Sequence, residues 1–410
     1  MERRARAGAS RTGRVGIALA GGGPEGAVYE IGALRALDEA LEGADLNNLD
    51  VYVGVSAGAF LAANLANDLT PAQMCRAIVK HDPGEHPFHS STFLQPATGA
   101  FLRGGWKVPK LLWEGLSEYL GNPSDSTLLD SLTRISRALP VGVFRNEPIR
   151  AFLEKIYTLP GRTDDFRELN KKLFIVAVDL DSGEAVRFGD EGFDHVPIST
   201  AAQASMALPG LYPPVDFEGR TYVDGVLRKT LHASVALEQG VDLLLCLNPI
   251  VPVDTGGAVE QGVMRRGRLV DRGWPTVISQ TLRTLIRSRL RAGLNSYEGR
   301  YNADIVLLEP RRDDYRMFFT NIFSFSSRQA VCEHAYQETR RELLDRFDEL
   351  EPVLARHGVT LRRDLLEQPR DLWNGVRLPR RRRAGHAGAT LDDLDRALDR
   401  LVEALDLAAT

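Results

Sequence analysis

Along the first sixth of the chain, short apolar runs that stop at glycine alternate with longer stretches whose apolar positions recur every three to four residues. Val15–Ala20 (VGIALA) and Asp50–Val55 (DVYVGV) are of the first kind and predict buried strands. Ala27–Leu41 is of the second, with Val28, Ile31, Leu34, Leu37 and Leu41 at helical spacing. Ala57–Leu69 opens with small residues and predicts another helix. This order of strand, helix, strand, helix predicts a mostly parallel sheet with crossover helices.

Further on, Thr70-Pro71-Ala72-Gln73 reads as a helix start, with proline at the first helical position and glutamine three after the cap. Lys172–Asp179 and Ala185–Phe188 predict strands, and Val196–Met206 a helix. Val215–Phe217, the turn Glu218-Gly219 and Thr221–Val223 predict a hairpin. Asp242–Leu247 and Ile305–Leu308 predict two more buried strands. Beyond Gly256 the pattern is mainly helical, strongest over Arg340–Arg356 and Leu391–Leu405.

The organisation expected from this is a disordered basic arm over 1–13, then an α/β domain over 14–250 with the turn after Val55 near the sheet edge. The segment 83–122 mixes proline and glycine with large apolar residues and reads as a lid-like insertion, with packing onto the main core as the other reading. A mainly helical extension over 251–376 follows, then a basic linker over 377–389. An amphipathic helix over 390–410 has Thr390 as its cap and leucines at heptad-like spacing, too short a run to set the oligomeric state. The cluster Met317–Phe325 reads as core rather than as the wall of a channel.

Composition narrows the function classes. The chain has 410 residues, 43% hydrophobic and 26% charged, with a formal charge of -4, so no bulk positive field points to nucleic acid. Cys75, Cys246 and Cys332 lie far apart without CxxC spacing, which suits a reducing, cytoplasmic setting and offers neither a disulfide framework nor a metal site. No cofactor or metal is expected. No apolar run reaches membrane-spanning length, so any membrane contact is expected to be peripheral.

Two motifs carry chemistry. Gly54-Val55-Ser56-Ala57-Gly58 brings a strand straight into a serine, followed by small residues. Glycines around such a serine permit a tight strand-to-helix turn that exposes its hydroxyl, although a helix-capping serine looks the same. Gly21-Gly22-Gly23-Pro24-Glu25-Gly26 also joins a strand to a helix. Its backbone N–H groups can face a phosphate or a tetrahedral oxyanion. A dinucleotide site wants an acidic residue at the end of the second strand. Val55 and Ser56 occupy that place, which favours the oxyanion reading. An α/β-hydrolase triad needs a histidine after the acid; His232, His334, His357 and His386 all follow it, and none sits in a distinctive motif. A carboxylate can instead serve Ser56 directly if held close and desolvated. Asp224-Gly225, at the end of the hairpin, is the candidate, against a plain Asp-Gly turn.

Taken together, Gly21–Gly26, Gly54–Gly58 and Asp224-Gly225 resemble the three signatures of patatin-like phospholipases, in order. Ala204-Ser205-Met206-Ala207-Leu208-Pro209 and the following Gly210–Val215 resemble the family's Ala-Ser-x-x-x-Pro block. The resemblance implies a three-layer α/β/α sandwich and a Ser56–Asp224 dyad without histidine. It also implies an oxyanion hole at Gly21, Gly22 and Gly23, structural glycines at Gly26, Gly54, Gly58 and Gly225, and a lipid acyl ester substrate. Two positions depart from the family. Glu25 stands where a cation is usual, which bears on head-group preference, and Val226 stands where glycine or alanine is usual. Esters other than phospholipids, such as thioesters, neutral lipids or polyester, and a silent lipid-binding scaffold are the alternatives. Arg283, Arg287 and Arg291 recur at helical spacing on a different face from an apolar row and are expected to dock on an anionic membrane or an acidic partner, with a solvated helix face as the other reading.

Overall fold

The computed structural model describes residues 13–80, 142–257, 268–297, 299–314 and 325–376, together with Gln95. The basic arm up to residue 12, the insertion at 83–122 apart from Gln95, most of the Met317–Phe325 cluster, the basic linker and the C-terminal amphipathic helix lie outside the described residues.

The chain begins β1 (Val15–Leu19), α1 (Gly23–Ala40), the two-residue β2 (Leu41–Glu42), β3 (Val51–Val55), α2 (Ala57–Ala66) and α3 (Pro71–Met74). Thr70 caps α3, its hydroxyl accepting from Gln73 N while the Gln73 side chain reaches back to Thr70 N, the reciprocal box read from the sequence. Then come α4 (Glu147–Tyr157), β4 (Lys172–Asp179), β5 (Ala185–Phe188), α5 (Ile198–Ser205), the hairpin β6 (Val215–Phe217) and β7 (Arg220–Asp224), α6 (Ala233–Glu238) and β8 (Leu243–Leu247). The remainder holds α7 (Trp274–Asn295), β9 (Asp304–Leu308), α8 (Phe325–Asp345), α9 (Phe347–Ala355) and β10 (Thr360–Leu361).

Eight strands form one sheet in the order β6-β7-β4-β3-β1-β8-β9, with β5 also paired to β4. β4, β3, β1, β8 and β9 run parallel, and the hairpin and β5 join antiparallel. Strand β3, which leads into Ser56, therefore lies inside the sheet, flanked by β1 and β4, and not near its edge as the sequence suggested. Buried neighbours on both sides are what make β1, β3 and β8 read as unbroken apolar runs.

Alternate side chains of these strands serve two cores. Ile17, Tyr52, Ile175 and Leu245 point into one, shared with α1, α2, α4, α5 and α8. Ala18, Val53, Val176 and Leu244 point into the other, closed by α6, by Leu290 in the last half of α7 and by Tyr297 just beyond that helix. This is a three-layer sandwich built on the two-residue period of the strand. α1 crosses α8 so closely that a Cβ at Gly32 would lie 2.3 Å from the Cys332 carbonyl oxygen. The same packing brings the buried Cys75 and Cys332 thiols into contact.

Candidate active site

β3 ends in Ser56, whose backbone sits at φ 53°, ψ -123°. For a residue with a Cβ this conformation costs about 1–3 kcal/mol and persists only when its surroundings hold it. Here the Ser56 N–H donates to Ser205 Oγ at 2.9 Å, and Ser205 Oγ donates to the Val176 carbonyl at 2.6 Å. On the other side the Ser56 carbonyl accepts from Ala59 N at 2.9 Å, the first turn of α2. That turn is possible because a Cβ at Gly58 would lie 2.3 Å from the Leu19 carbonyl oxygen, and one at Gly54 2.5 Å from Ala59 Cα. The serine is thus a strained elbow and not a helix cap, since its side chain makes no capping bond.

β4 brings the carboxylate to it. β4 pairs with β3 as far as Val55 opposite Val176, and with β7 starting at Asp224 opposite Ala177. Adjacent residues of one strand therefore bring together two groups 168 positions apart. Ser56 Oγ lies 2.7 Å from Asp224 Oδ2, and Asp224 Oδ1 accepts from Val226 N at 2.9 Å. The Asp224 N–H donates to the Ala207 carbonyl at 3.0 Å. A Cβ at Gly225 would lie 2.2 Å from the Val176 carbonyl oxygen, so only glycine lets the chain turn away here. Val226 keeps the hydrogen bond to Asp224 despite its branched side chain.

Asp224 is 1% exposed. Burial pushes its carboxyl up to about 7, partly offset by the bonds from Val226 and Ser56. His232 is also buried, and burial lowers its imidazole to about 4. The ring is neutral at pH 7, and its Nε2 faces the Gly225 carbonyl at 3.4 Å. The other described histidines, His195, His334 and His357, pair with Glu218, Asp314 and Asp304. Among the described residues no three His, Cys, Asp or Glu side chains gather to hold a metal.

The glycine loop lies against the serine. A Cβ at Gly21 would sit 3.1 Å from Ser56 Cβ, and Gly23 turns the chain at φ +61° into α1. Gly22 and Gly26 pack against Pro249 and are joined by a bond from Gly26 N to Gly22 O at 3.0 Å. The three expected oxyanion donors are not equivalent. Gly21 N donates to the Thr230 carbonyl at 3.1 Å and is already used, which leaves the N–H groups of Gly22 and Gly23 at the start of α1. Glu25, in the same turn, is 3.9 Å from Arg283 Nη2 of α7. Its Oε1 is buried without a hydrogen-bond partner, and burial raises its carboxyl to about 7 against the pull of Arg283.

The arginine row does not lie as the sequence suggested. Arg283 and Arg287 face the body, one toward Glu25 and the other 3.7 Å from Glu309, while Arg291 is exposed. The carboxylates that draw them in belong to α1 and to the end of β9, so the helix alone did not reveal them. The role of Ser205 was also missed. A small-residue helix end was visible, but that Ser205 and Ala207 each bond one member of the pair follows only from the sheet.

A hydroxyl against a buried, weakly acidic carboxyl is equipped to exchange a proton, and N–H groups at a helix start favour negative charge. Two solved bacterial proteins show a weak overall likeness. VipD from Legionella pneumophila is 15% identical, with 82% of this chain and 67% of that one covered and a TM-score of 0.36. ExoU, solved with SpcU from the type III secretion system of Pseudomonas aeruginosa, is 18% identical over 85% of this chain and 65% of that one, with a TM-score of 0.27. The sequence match is more telling. The family profile described as patatin-like phospholipase matches residues 17–237, more than half of the chain, a span that holds the glycine loop, Ser56, Ser205 and Asp224; the chain belongs to the patatin-like phospholipase family.

Proposed function

We propose that this chain is a serine lipid acyl hydrolase in which Ser56 is the nucleophile and Asp224 its sole general base. The observation that carries this is the 2.7 Å contact between Ser56 Oγ and a buried carboxyl raised to about 7. Asp224 takes the hydroxyl proton as Ser56 Oγ attacks the acyl carbonyl. The oxyanion that forms is met by the N–H groups of Gly22 and Gly23, each such donor being worth about 3 kcal/mol. Asp224 returns the proton to the leaving alcohol, and an acyl ester on Ser56 remains. Water, deprotonated by Asp224, then attacks that ester, and as the C–O bond to Ser56 breaks Asp224 returns the proton to Ser56 Oγ and the fatty acid leaves. Every proton has a carrier, so neither His232 nor a metal ion enters a step.

Glu25 favours a second reading of the substrate. A carboxyl beside the oxyanion loop, even with Arg283 nearby, disfavours an anionic head group there. Neutral acyl esters and thioesters suit that site better than anionic phospholipids.

Ser56→Ala tests the assignment. Turnover of a chromogenic acyl ester and labelling by a fluorophosphonate should both vanish, with the fold retained. A wild-type chain inert to every acyl ester and to the label would mark a silent lipid-binding scaffold instead.

A further inference from the structure

The surface of α7 is inverted relative to an ordinary amphipathic helix. Its polar and charged side chains hold it to the body. Gln280 clasps Val253 through both N–H···O bonds, at 2.8 and 3.0 Å, and Arg283 and Arg287 face Glu25 and Glu309. Over 274–285 its large apolar side chains point away, whereas Leu290 and Leu294 further along pack on the core. Trp274 is 74% exposed, Ile278 47%, Leu282 53% and Leu285 55%, with Val277 beside them. At 3.6 residues per turn these five cover an arc of roughly 140° opposite Arg283 and Arg287. Of the nine large hydrophobic residues exposed among the described residues, six fall between Val270 and Leu285, so this is a patch and not scatter.

We infer that this face of α7 docks the protein on an anionic lipid surface, beside the mouth of the site. Two observations select that occupant. The first is continuity with the Ser56–Asp224 site. Arg289 of α7 bonds the carbonyls of Leu227 and Arg228, and Leu227, itself 44% exposed, lies three residues past Asp224. The apolar surface therefore runs from α7 to the loop that carries the general base. The second is charge. α7 holds four arginines and no acidic residue, and around the patch Arg268 and Arg291 are exposed, with Arg289 beside Leu227, against the single carboxylate of Asp271. A lipid leaflet accepts the apolar row in its acyl boundary and the arginines at its phosphates. A second copy of the same helix would offer those arginines no anion, since α7 carries no acidic residue.

The inference rests on the lipid acyl hydrolase reading for its purpose, but its test does not. The full-length protein is sedimented with vesicles of phosphatidylglycerol and phosphatidylcholine and compared with a Trp274→Ser, Ile278→Ser, Leu282→Ser, Leu285→Ser variant. Because all four side chains are exposed, the variant should fold and keep its turnover of a soluble short-chain ester. Its vesicle partition coefficient should drop by about a hundredfold or more. Equal partitioning of the two proteins overturns the docking, as does a wild-type protein that ignores vesicles. A wild-type dimer in sedimentation velocity that the variant dissociates also overturns it, since the face is then covered by a second copy. Loss of vesicle binding in a protein that hydrolyses no ester keeps the docking and removes the hydrolase reading.

Discussion

As the proposed base, Asp224 links catalysis and stability with opposite signs. Its carboxyl titrates near 7 in the folded protein and near 3.8 when unfolded. A folded-state value raised by burial means that the native state keeps a proton the unfolded chain gives up. Native stability is therefore unpenalised below about pH 4 and falls as pH rises toward 7, by at most about 4 kcal/mol. The base must be ionised to act, so kcat/KM for a soluble ester should rise about tenfold per pH unit below 7 and level off above it. Asp224→Asn should abolish turnover at every pH. Urea denaturation at pH 8 should show it more stable than the wild type, because the amide can still accept from Val226 N and donate to Ser56 Oγ. A turnover profile with no inflection between pH 5 and 8 would rule out Asp224 as the base. Ser205 acts on the same pair without touching substrate. Ser205→Ala leaves the Ser56 N–H without its acceptor, at a cost of about 1–3 kcal/mol in stability. Release of the strained elbow should also lower kcat by about ten- to a hundredfold with KM little changed. Ser205→Thr, which keeps a hydroxyl, should recover part of kcat.

The strand-to-helix turn at Ser56 depends on how closely α2 approaches β1. Gly58 sits under the Leu19 carbonyl with no room for a methyl group. Gly58→Ala should push α2 outward, destabilise the protein by about 1–3 kcal/mol in denaturant titration and slow fluorophosphonate labelling of Ser56. The elements themselves were mostly legible. Val15–Ala20, Asp50–Val55, Lys172–Asp179, Asp242–Leu247 and the Val215–Val223 hairpin all appear close to where their patterns put them. Arg340–Arg356 fared less well. The structure divides it at Arg346 between α8 and α9, and α8 extends back to Phe325. The stretch 325–339 is largely polar and small, and its apolar row, Val331, Cys332, Ala335 and Tyr336, spans little more than one turn, too short to announce the helix that it buries against α1.

As a whole, the molecule gathers its chemistry on one sheet, and the proposed steps assign no role to an ion. Turnover should therefore be unchanged after exhaustive treatment with a chelator; loss of activity restored by a divalent cation would require a metal in the mechanism. The sequence by itself determined the parallel sheet, the elbow at Ser56, the glycine loop and the candidacy of Asp224. These rest on local causes: a strand buried on both faces must be apolar throughout, and a tight turn under a neighbouring carbonyl admits only glycine. The tertiary structure alone decided which groups meet. It set Asp224 beside Ser56 through consecutive positions of β4, gave Ser205 and Ala207 the task of holding them, and withdrew Gly21 by bonding it to Thr230. It also turned Arg283 and Arg287 inward and left the apolar row of α7 facing out. Each of these pairings depends on a register or a carboxylate supplied by a distant segment, and no local spacing encodes a partner so far along the chain.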